Sequence, residues 1–354
     1  MHKITENLLK WYDTSQRDLP WRNVNDPYKI WLSEVILQQT RVDQGLKYYL
    51  RFTENYPTVH HLANAPEEDV LKLWQGLGYY SRARNLHKAA KEVSHTLKGV
   101  FPRTANELLK LKGIGPYTAA AVASIAFNDP VPVVDGNVNR VISRVFNIQD
   151  PIDKAAGKTQ ILEAMHALLP PLKPGTFNQA VMELGALICA PKNPQCNICP
   201  VQANCLALEA QTVTELPKKA LKTKVTDQYI HYIVIQTGDE YLVRQRTEAG
   251  IWHNLYDFPS AEGANPNEAQ KQLQNALERL PAQPKIVKSS AETLHILSHR
   301  RLHITFHLLH YPEPTAINWP SLRRVDQADL LKLPVPRIVE KFLPFVFSSA
   351  DVSE

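Results

Sequence analysis

Between Leu108 and Val141 the chain reads LLKLKGIGPYTAAAVASIAFNDPVPVVDGNVNRV. An apolar helical run meets Gly113-Ile114-Gly115, and a second apolar run follows from Tyr117 to Phe127. Two helices joined by a Gly-x-Gly turn form a hairpin, because glycine adopts backbone angles that other residues avoid. The unpaired backbone N–H groups at the start of the second helix make such a turn a seat for a phosphate. Asp135 follows Gly115 closely and is preceded by Val131, Val133 and Val134, so a carboxylate lies beside apolar surface near that seat. A bare Gly-x-Gly is most often an ordinary turn; the acid that follows it points to chemistry on a nucleic acid.

With 354 residues the chain has room for two domains. No apolar run reaches the ~18 residues of a membrane span, and MHKITENLLKWYDTSQRD does not have the pattern of a signal peptide. No membrane partner is expected, and the location expected is cytoplasmic, nucleoid-associated in a bacterium. The net charge of +5 permits an anionic partner without requiring one. Residues 4–12 read as a short amphipathic helix, broken at Leu19-Pro20-Trp21-Arg22. Tyr28 to Tyr49 then reads as one long helix. Glu34 is the odd residue in it, with Trp31, Val35 and Leu37 nearby. The ordinary reading of such a Glu is a solvated or capping acid. The sharper reading is a carboxyl whose apolar surroundings raise its pKa, so that it donates a proton near neutral pH. Helices over 66–98 are split at Gly76-Leu77-Gly78-Tyr79-Tyr80. The Arg82, Arg84, Lys88 and Lys91 that follow are either a solvated face or a phosphate-facing one. The first 130 residues or so show no alternating strand pattern.

The four cysteines, Cys189, Cys196, Cys199 and Cys205, have the spacing C-x6-C-x2-C-x5-C. Nothing indicates the secretion that two disulfides would accompany, and the paired CxxC arrangement usual for zinc is absent. Four thiolates this close in sequence fit a metal or cluster, with one iron–sulfur cube ahead of zinc. A polar, basic stretch follows as a linker, 213–225. Strand-rich segments then appear at Gln228–Gln236, Glu240–Arg246 and Leu302–Tyr311, with helices over Asn267–Leu280 and Pro336–Leu343. This is a second, α+β domain over 226–346, with a frayed tail at 347–354.

The order of LKGIGPYTA, VDGNVNRV and C-x6-C-x2-C-x5-C resembles the helix-hairpin-helix base-excision glycosylases that carry a [4Fe-4S] cluster. Within that family LPWR at 19–22, WLSEVILQQT at 31–40 and the extra C-terminal domain resemble the adenine DNA glycosylases. The likeness runs from about residue 4 to 345. It implies a mainly α helix-hairpin-helix glycosylase domain over 1–212, with a cluster loop at 189–205, and a Nudix-like recognition domain over 226–346. It also implies a double-stranded DNA partner bearing an A:8-oxoguanine or A:G mispair, with a monomer as the default state. The four cysteines would hold the cluster. Glu34 would protonate the adenine at N7, and Asp135 would be the ionised partner of the sugar, acting electrostatically or through a transient covalent bond. Tyr117 and Asn137 would support them. Arg17, Leu19, Trp21 and Gln179 match the family's adenine pocket. Gln39 and Tyr79 match residues that fill or wedge the gap in the base stack, with Thr40 and Leu77 beside them, while Gly113 and Gly115 would hold a phosphate.

In the endonuclease III branch a Lys follows the second hairpin glycine by two residues, and its amine attacks the sugar. Here that position is Tyr117, so the resemblance implies a hydrolytic, monofunctional enzyme. The region 262–280 lacks the REUxEE helix of a working Nudix hydrolase. Leu297-Ser298-His299 matches the family's Phe-Ser-His contact to 8-oxoguanine, with Leu for Phe as a departure. Two alternatives carry distinct expectations: a bifunctional pyrimidine-lesion glycosylase/lyase, and a non-catalytic DNA-binding iron–sulfur protein in which Glu34 and Asp135 are dispensable.

Overall fold

The computed structural model describes residues 2–22, 24–220, 225–281, 285–311, 317, 319 and 321–348. Residues 221–224 of the expected linker and 349–354 of the expected tail lie outside them. The chain divides into two compact units, one of residues 1–64 and 85–222, the other of 65–84 and 223–354. Among the described residues no helix is long and apolar enough to cross a membrane.

The helices of the first unit are α1 (Lys3–Ser15), α2 (Pro27–Leu37), α3 (Val42–Asn55) and α4 (Val59–Asn64). The α5 helix (Glu67–Trp74) belongs to the second unit, and α6 (Ser81–Lys91) starts there and ends in the first. They are followed by α7 (Ala105–Leu108), α8 (Pro116–Phe127), α9 (Gly136–Val145), α10 (Ala155–Leu168), α11 (Pro174–Leu187) and α12 (Leu206–Glu209). Local chemistry sets the starts. Asp26 accepts the N–H of Tyr28 at 2.9 Å with Pro27 at the first helical position, and Thr104 and Glu107 form a capping box. Asn128 closes α8 in the left-handed conformation. Helical spacing then builds the core. Ile4, Leu8 and Tyr12 of α1 meet Val138, Val141, Ile142 and Val145 of α9, Ile161 and Met165 of α10, and Phe177, Val181 and Leu184 of α11.

Two expectations change. The long helix over Tyr28–Tyr49 is two helices, because the chain turns at 38–41 with Gln39 at φ 56°. The segment QQTR contains no Gly or Pro breaker, so the break comes from packing: α3 folds back so closely that a Cβ on Gly45 would lie 2.6 Å from Leu37. The run entering the hairpin forms only the four-residue α7 and then a series of turns through Leu111 and Ile114.

The second unit contains α5, a turn, and a mixed sheet. Its strands are β1 (Thr226–Thr237), β2 (Glu240–Gln245), β3 (Tyr256–Asp257), β4 (Ser260–Gly263), β5 (Lys285–Ser289), β6 (Thr293–Ile296), β7 (Arg300–Tyr311) and β8 (Leu322–Val325), in the order β3-β2-β1-β7-β5; β4 pairs with β1, β6 with β7 and β8 with β2. The two long strands, β1 and β7, run parallel from Thr226 opposite Arg300 to Thr237 opposite Tyr311. The helix α13 (Pro266–Glu278) buries Ala269 and Leu273, the latter in a cluster with Ile233, Ile235 and Leu309. The helices α14 (Gln327–Lys332) and α15 (Arg337–Phe347) complete the unit. Three strands stood out in the sequence; β3, β4, β5, β6 and β8, of two to five residues each, did not.

Candidate active site

An open cleft of about 520 Å³ in the first unit gathers Arg17, Leu19, Trp21, Arg22, Glu34, Thr40, Tyr117, Asp135, Asn137, Gln179, Met182 and Glu183 among its walls. The α2 helix delivers Glu34, α8 delivers Tyr117, the N-terminus of α9 delivers Asp135 and Asn137, and α11 delivers Gln179 and Glu183. Two carboxyls far apart in sequence therefore share one cavity.

The Tyr117 hydroxyl donates to the carboxylate of Glu34 and also faces the Met182 sulfur at 3.7 Å. Burial raises the pKa of Glu34 above the ordinary carboxyl range; Tyr117 and Arg22 pull it back, and Asp135 adds to the rise. Burial likewise drives Tyr117 well above its usual value, with Glu34 beside it reinforcing the shift. Tyr117 is thus a fixed hydrogen-bond donor, not a base.

Asp135 is the N-cap of α9. It accepts the Val138 N–H at 2.7 Å and the Asn137 side-chain amide at 3.0 Å. Burial raises its pKa too, while these hydrogen bonds and Arg140 oppose the rise and favour its anion. The approach to Asp135 is fixed by buried Asn178, which accepts the Val133 N–H at 3.1 Å and donates to the Val131 carbonyl at 2.9 Å and to Ser124 at 3.0 Å. From α9, Arg140 donates to Asn137 at 2.9 Å, to the Gly185 carbonyl at 2.7 Å and to the Cys189 carbonyl at 2.8 Å, joining the Asp135 corner to the first cysteine.

The four residues of the expected base pocket all line the cleft. Leu19 and Trp21 are buried, with Trp21 edge-on to Tyr49 at 5.0 Å. Arg17 grips Glu183 with two bonds of 2.7 and 2.8 Å, and Arg22 reaches the same carboxylate at 3.0 Å. Glu183 is fully buried and held below the usual carboxylate range: burial opposes this, and the hydrogen bonds and charges of Arg17 and Arg22 outweigh it. Arg22, Asn178, Arg140 and Glu183 were missed by the sequence reading. For Glu183 the signal was present: it is a lone acid in the apolar run of α11, the same oddity that singled out Glu34.

Gly115 caps α8, with open space where a Cβ would stand, and Gly113 sits at φ 86°, where only glycine is unstrained. Thr40 lies on the wall of the cleft; Gln39 is exposed at φ 56° and is not part of that wall. In the second unit Tyr79 is also left-handed, at φ 47°, and exposed, while Leu77 is buried and so forms a floor for its turn. Ser298 and His299 are exposed at the tip between β6 and β7, and bond to one another at 3.1 Å.

The four cysteines are free thiols that line one small cavity of about 20 Å³. Among the described residues no three His, Cys, Asp or Glu converge closely enough for a single ion; the thiols surround a space instead. Val141, Val145, Leu184, Ile188 and Val201 line the rest, with the fully buried Arg144. Its guanidinium donates to Cys189 Sγ at 3.3 Å and to the carbonyls of Ala190 at 2.8 Å and Leu216 at 3.1 Å, and no ion pair joins it to a carboxylate among the described residues. A buried cation bonded otherwise to neutral carbonyls favours an anion beside it, and a thiolate at Cys189 would supply one. Burial pushes the Cys199 thiol up to about 11; such a group deprotonates when a metal is against it. The donor set fits a thiolate-ligated iron–sulfur group.

Residues 32–168 match the family of HhH-GPD superfamily base excision DNA repair proteins, and residues 231–344 match the NUDIX domain. An adenine DNA glycosylase of Buchnera aphidicola subsp. Acyrthosiphon pisum is 32% identical over 97% of this chain and 99% of its own length. The Homo sapiens adenine DNA glycosylase is 35% identical over 84% of this chain and 65% of its own. That of Arabidopsis thaliana is 39% identical over 73% of this chain, which spans 47% of that relative's length. Among solved structures, a thermostable thymine-DNA glycosylase aligns with a TM-score of 0.53 at 30% identity, over 59% of this chain and 97% of that one. A trapped endonuclease III–DNA covalent intermediate aligns at 0.51 and 25% identity, over 60% of this chain and 99% of that one.

Proposed function

The chain belongs to the adenine DNA glycosylases of the HhH-GPD superfamily, and on that premise we propose that it removes adenine opposite 8-oxoguanine or guanine in double-stranded DNA by acid-assisted hydrolysis. The observation that carries this reading is the pairing of two buried carboxyls, Glu34 and Asp135, in one cleft. Burial raises the pKa of both carboxyls; the nearby Asp135 adds to the rise at Glu34, while the hydrogen bonds from Val138 and Asn137 favour the anion of Asp135.

Adenine is stacked inside the duplex and has to be turned out before any side chain reaches it. In the cleft Leu19 and Trp21 supply apolar walls, and Gln179 and the Arg22–Glu183 pair supply polar edges. Glu34 passes its proton to N7 of the base, and the glycosidic electrons leave with the adenine. Asp135 opposes the positive charge that develops on the sugar. Glu34, now a carboxylate, takes a proton from the attacking water, while the Tyr117 hydroxyl stabilises that carboxylate. Tyr117 offers no amine for a Schiff base, so the backbone stays intact.

Cys189, Cys196, Cys199 and Cys205 would hold a [4Fe-4S] cluster, whose part is to order the loop that carries them. The exposed pair Ser298-His299 would read the base opposite the adenine. The protein acts as a monomer in the cytoplasm, at the nucleoid. The test is single-turnover excision of adenine opposite 8-oxoguanine by the intact chain and by Asp135→Asn. The variant should bind the mispair and release no base; a wild-type rate in it overturns the reading.

A further inference from the structure

The turn Gly76-Leu77-Gly78-Tyr79-Tyr80 presents a large aromatic ring in an unfavourable way. Tyr79 is left-handed at φ 47° and 48% exposed. A non-glycine residue holds that conformation only where its surroundings over-determine it. Those surroundings are visible. Trp74 is fully buried and donates its indole N–H to the Gly78 carbonyl at 3.0 Å. The Tyr80 hydroxyl donates to the Val335 carbonyl at 3.3 Å and accepts the Gly76 N–H at 3.4 Å. Arg82 closes the arrangement. Its guanidinium lies 5.0 Å from the Trp74 ring centroid and 5.7 Å from that of Tyr79, and its terminal nitrogen donates to the carbonyls of Leu77 and Gly78, each at 3.4 Å.

We propose that Arg82 is a positioning residue that holds the Tyr79 ring ready to enter the base stack beside the lesion. The inference rests on the reading of Tyr79 as a wedge. A planar cation within reach of both rings covers part of Tyr79, and the ring's exposed remainder is left for a base. Burial draws its pKa down to about 10, so Arg82 stays charged at neutral pH while poorly hydrated, the condition in which cation–π contacts are strongest. The side-chain ordering that intercalation requires is then met before DNA arrives. Tied to the turn and the two rings, Arg82 does not act here as a phosphate contact, although the basic run in which it lies invites that reading.

The experiment measures binding of the intact chain to a duplex carrying 2′-fluoroadenosine, which resists glycosidic cleavage, opposite 8-oxoguanine. It compares Arg82→Gln, Arg82→Lys, Tyr79→Ala and the double change Tyr79→Ala with Arg82→Gln. Arg82→Gln should lose about 5- to 30-fold in mispair affinity, the range of a desolvated cation–π contact. Arg82→Lys should recover only part, because it restores the charge without the plane. The single-turnover excision rate at saturating enzyme should fall by less than the affinity. The double variant should bind as Tyr79→Ala does. The slope of log affinity against log salt should be unchanged, whereas loss of a phosphate contact lowers it by about 1. If Arg82→Gln is not recovered as folded protein, Arg82→Lys carries the comparison. Additive losses, a reduced salt slope, or full recovery in Arg82→Lys would each overturn the assignment. If Tyr79→Ala itself leaves mispair affinity intact, the wedge reading fails and takes the proposal with it.

Discussion

At the scale of single residues, base removal depends on which proton sits where. Glu34 must be protonated to act, so excision falls as pH rises through its raised pKa. Tyr117 pulls that pKa down by bonding to the carboxylate. Tyr117→Phe should therefore shift the alkaline limb of the pH–rate profile to higher pH; an unmoved limb, or one displaced to lower pH, would separate Tyr117 from Glu34. Glu34→Gln should cost about 10²–10⁴-fold in single-turnover rate, the usual contribution of a general acid. Much of this was legible in the sequence. Glu34 stood out as an acid in an apolar helix and Asp135 as an acid after the hairpin, and both line the cleft. What was not legible is what each side chain touches. Arg17 and Glu183 are far apart in sequence, and only the packing of α11 joins them. Asp135 has the residue type of a helix cap, but no local pattern shows that Asn178 holds the segment leading to it.

Among the elements, the hairpin, the cluster loop and the two long strands were readable because glycine, cysteine and β-branched residues carry local signals. The turn at 38–41 and the five short strands were not, because long-range packing decides them. The cluster loop gives one test: Cys199→Ser should lose the brown iron–sulfur absorbance and much of the soluble protein. Unchanged iron content would refute the four-cysteine assignment. The paired strands β1 and β7 give another. His307 bonds to His231 at 3.0 Å and to Ser289 at 2.8 Å, and burial beside His231 pushes it down to about 4. Unfolded histidine titrates near ~6.5. A depressed folded pKa means stability that is present above about 6.5 and lost as pH falls towards 4. The full loss is about 3 kcal/mol for His307, by order of magnitude. Thermal unfolding between pH 7.5 and 5 should show the larger part of that decline in the wild type and a shallower one in His307→Gln; equal slopes would assign the acid sensitivity elsewhere.

For the whole molecule, the partition of the chain alters how the division of labour is tested. The segment 65–84, which carries Tyr79, packs into the second unit. Cutting the chain after the linker would therefore disturb more than the proposed reader. Substitution in the intact chain is cleaner: Ser298→Ala with His299→Ala should reduce the preference for 8-oxoguanine over guanine by about 5- to 150-fold, the worth of a base-specific contact, and reduce excision from A:G less. An unchanged preference would show that the tip between β6 and β7 does not read the lesion. Adenine removal itself is tested on three duplexes. Duplexes with A opposite 8-oxoguanine, guanine or thymine are incubated with the intact chain, and free adenine and strand breaks are counted before and after heating in alkali. Adenine should be released from the first two duplexes and not from the third, with breaks appearing only after alkali. Breaks without alkali, or tight binding with no adenine released, would contradict that.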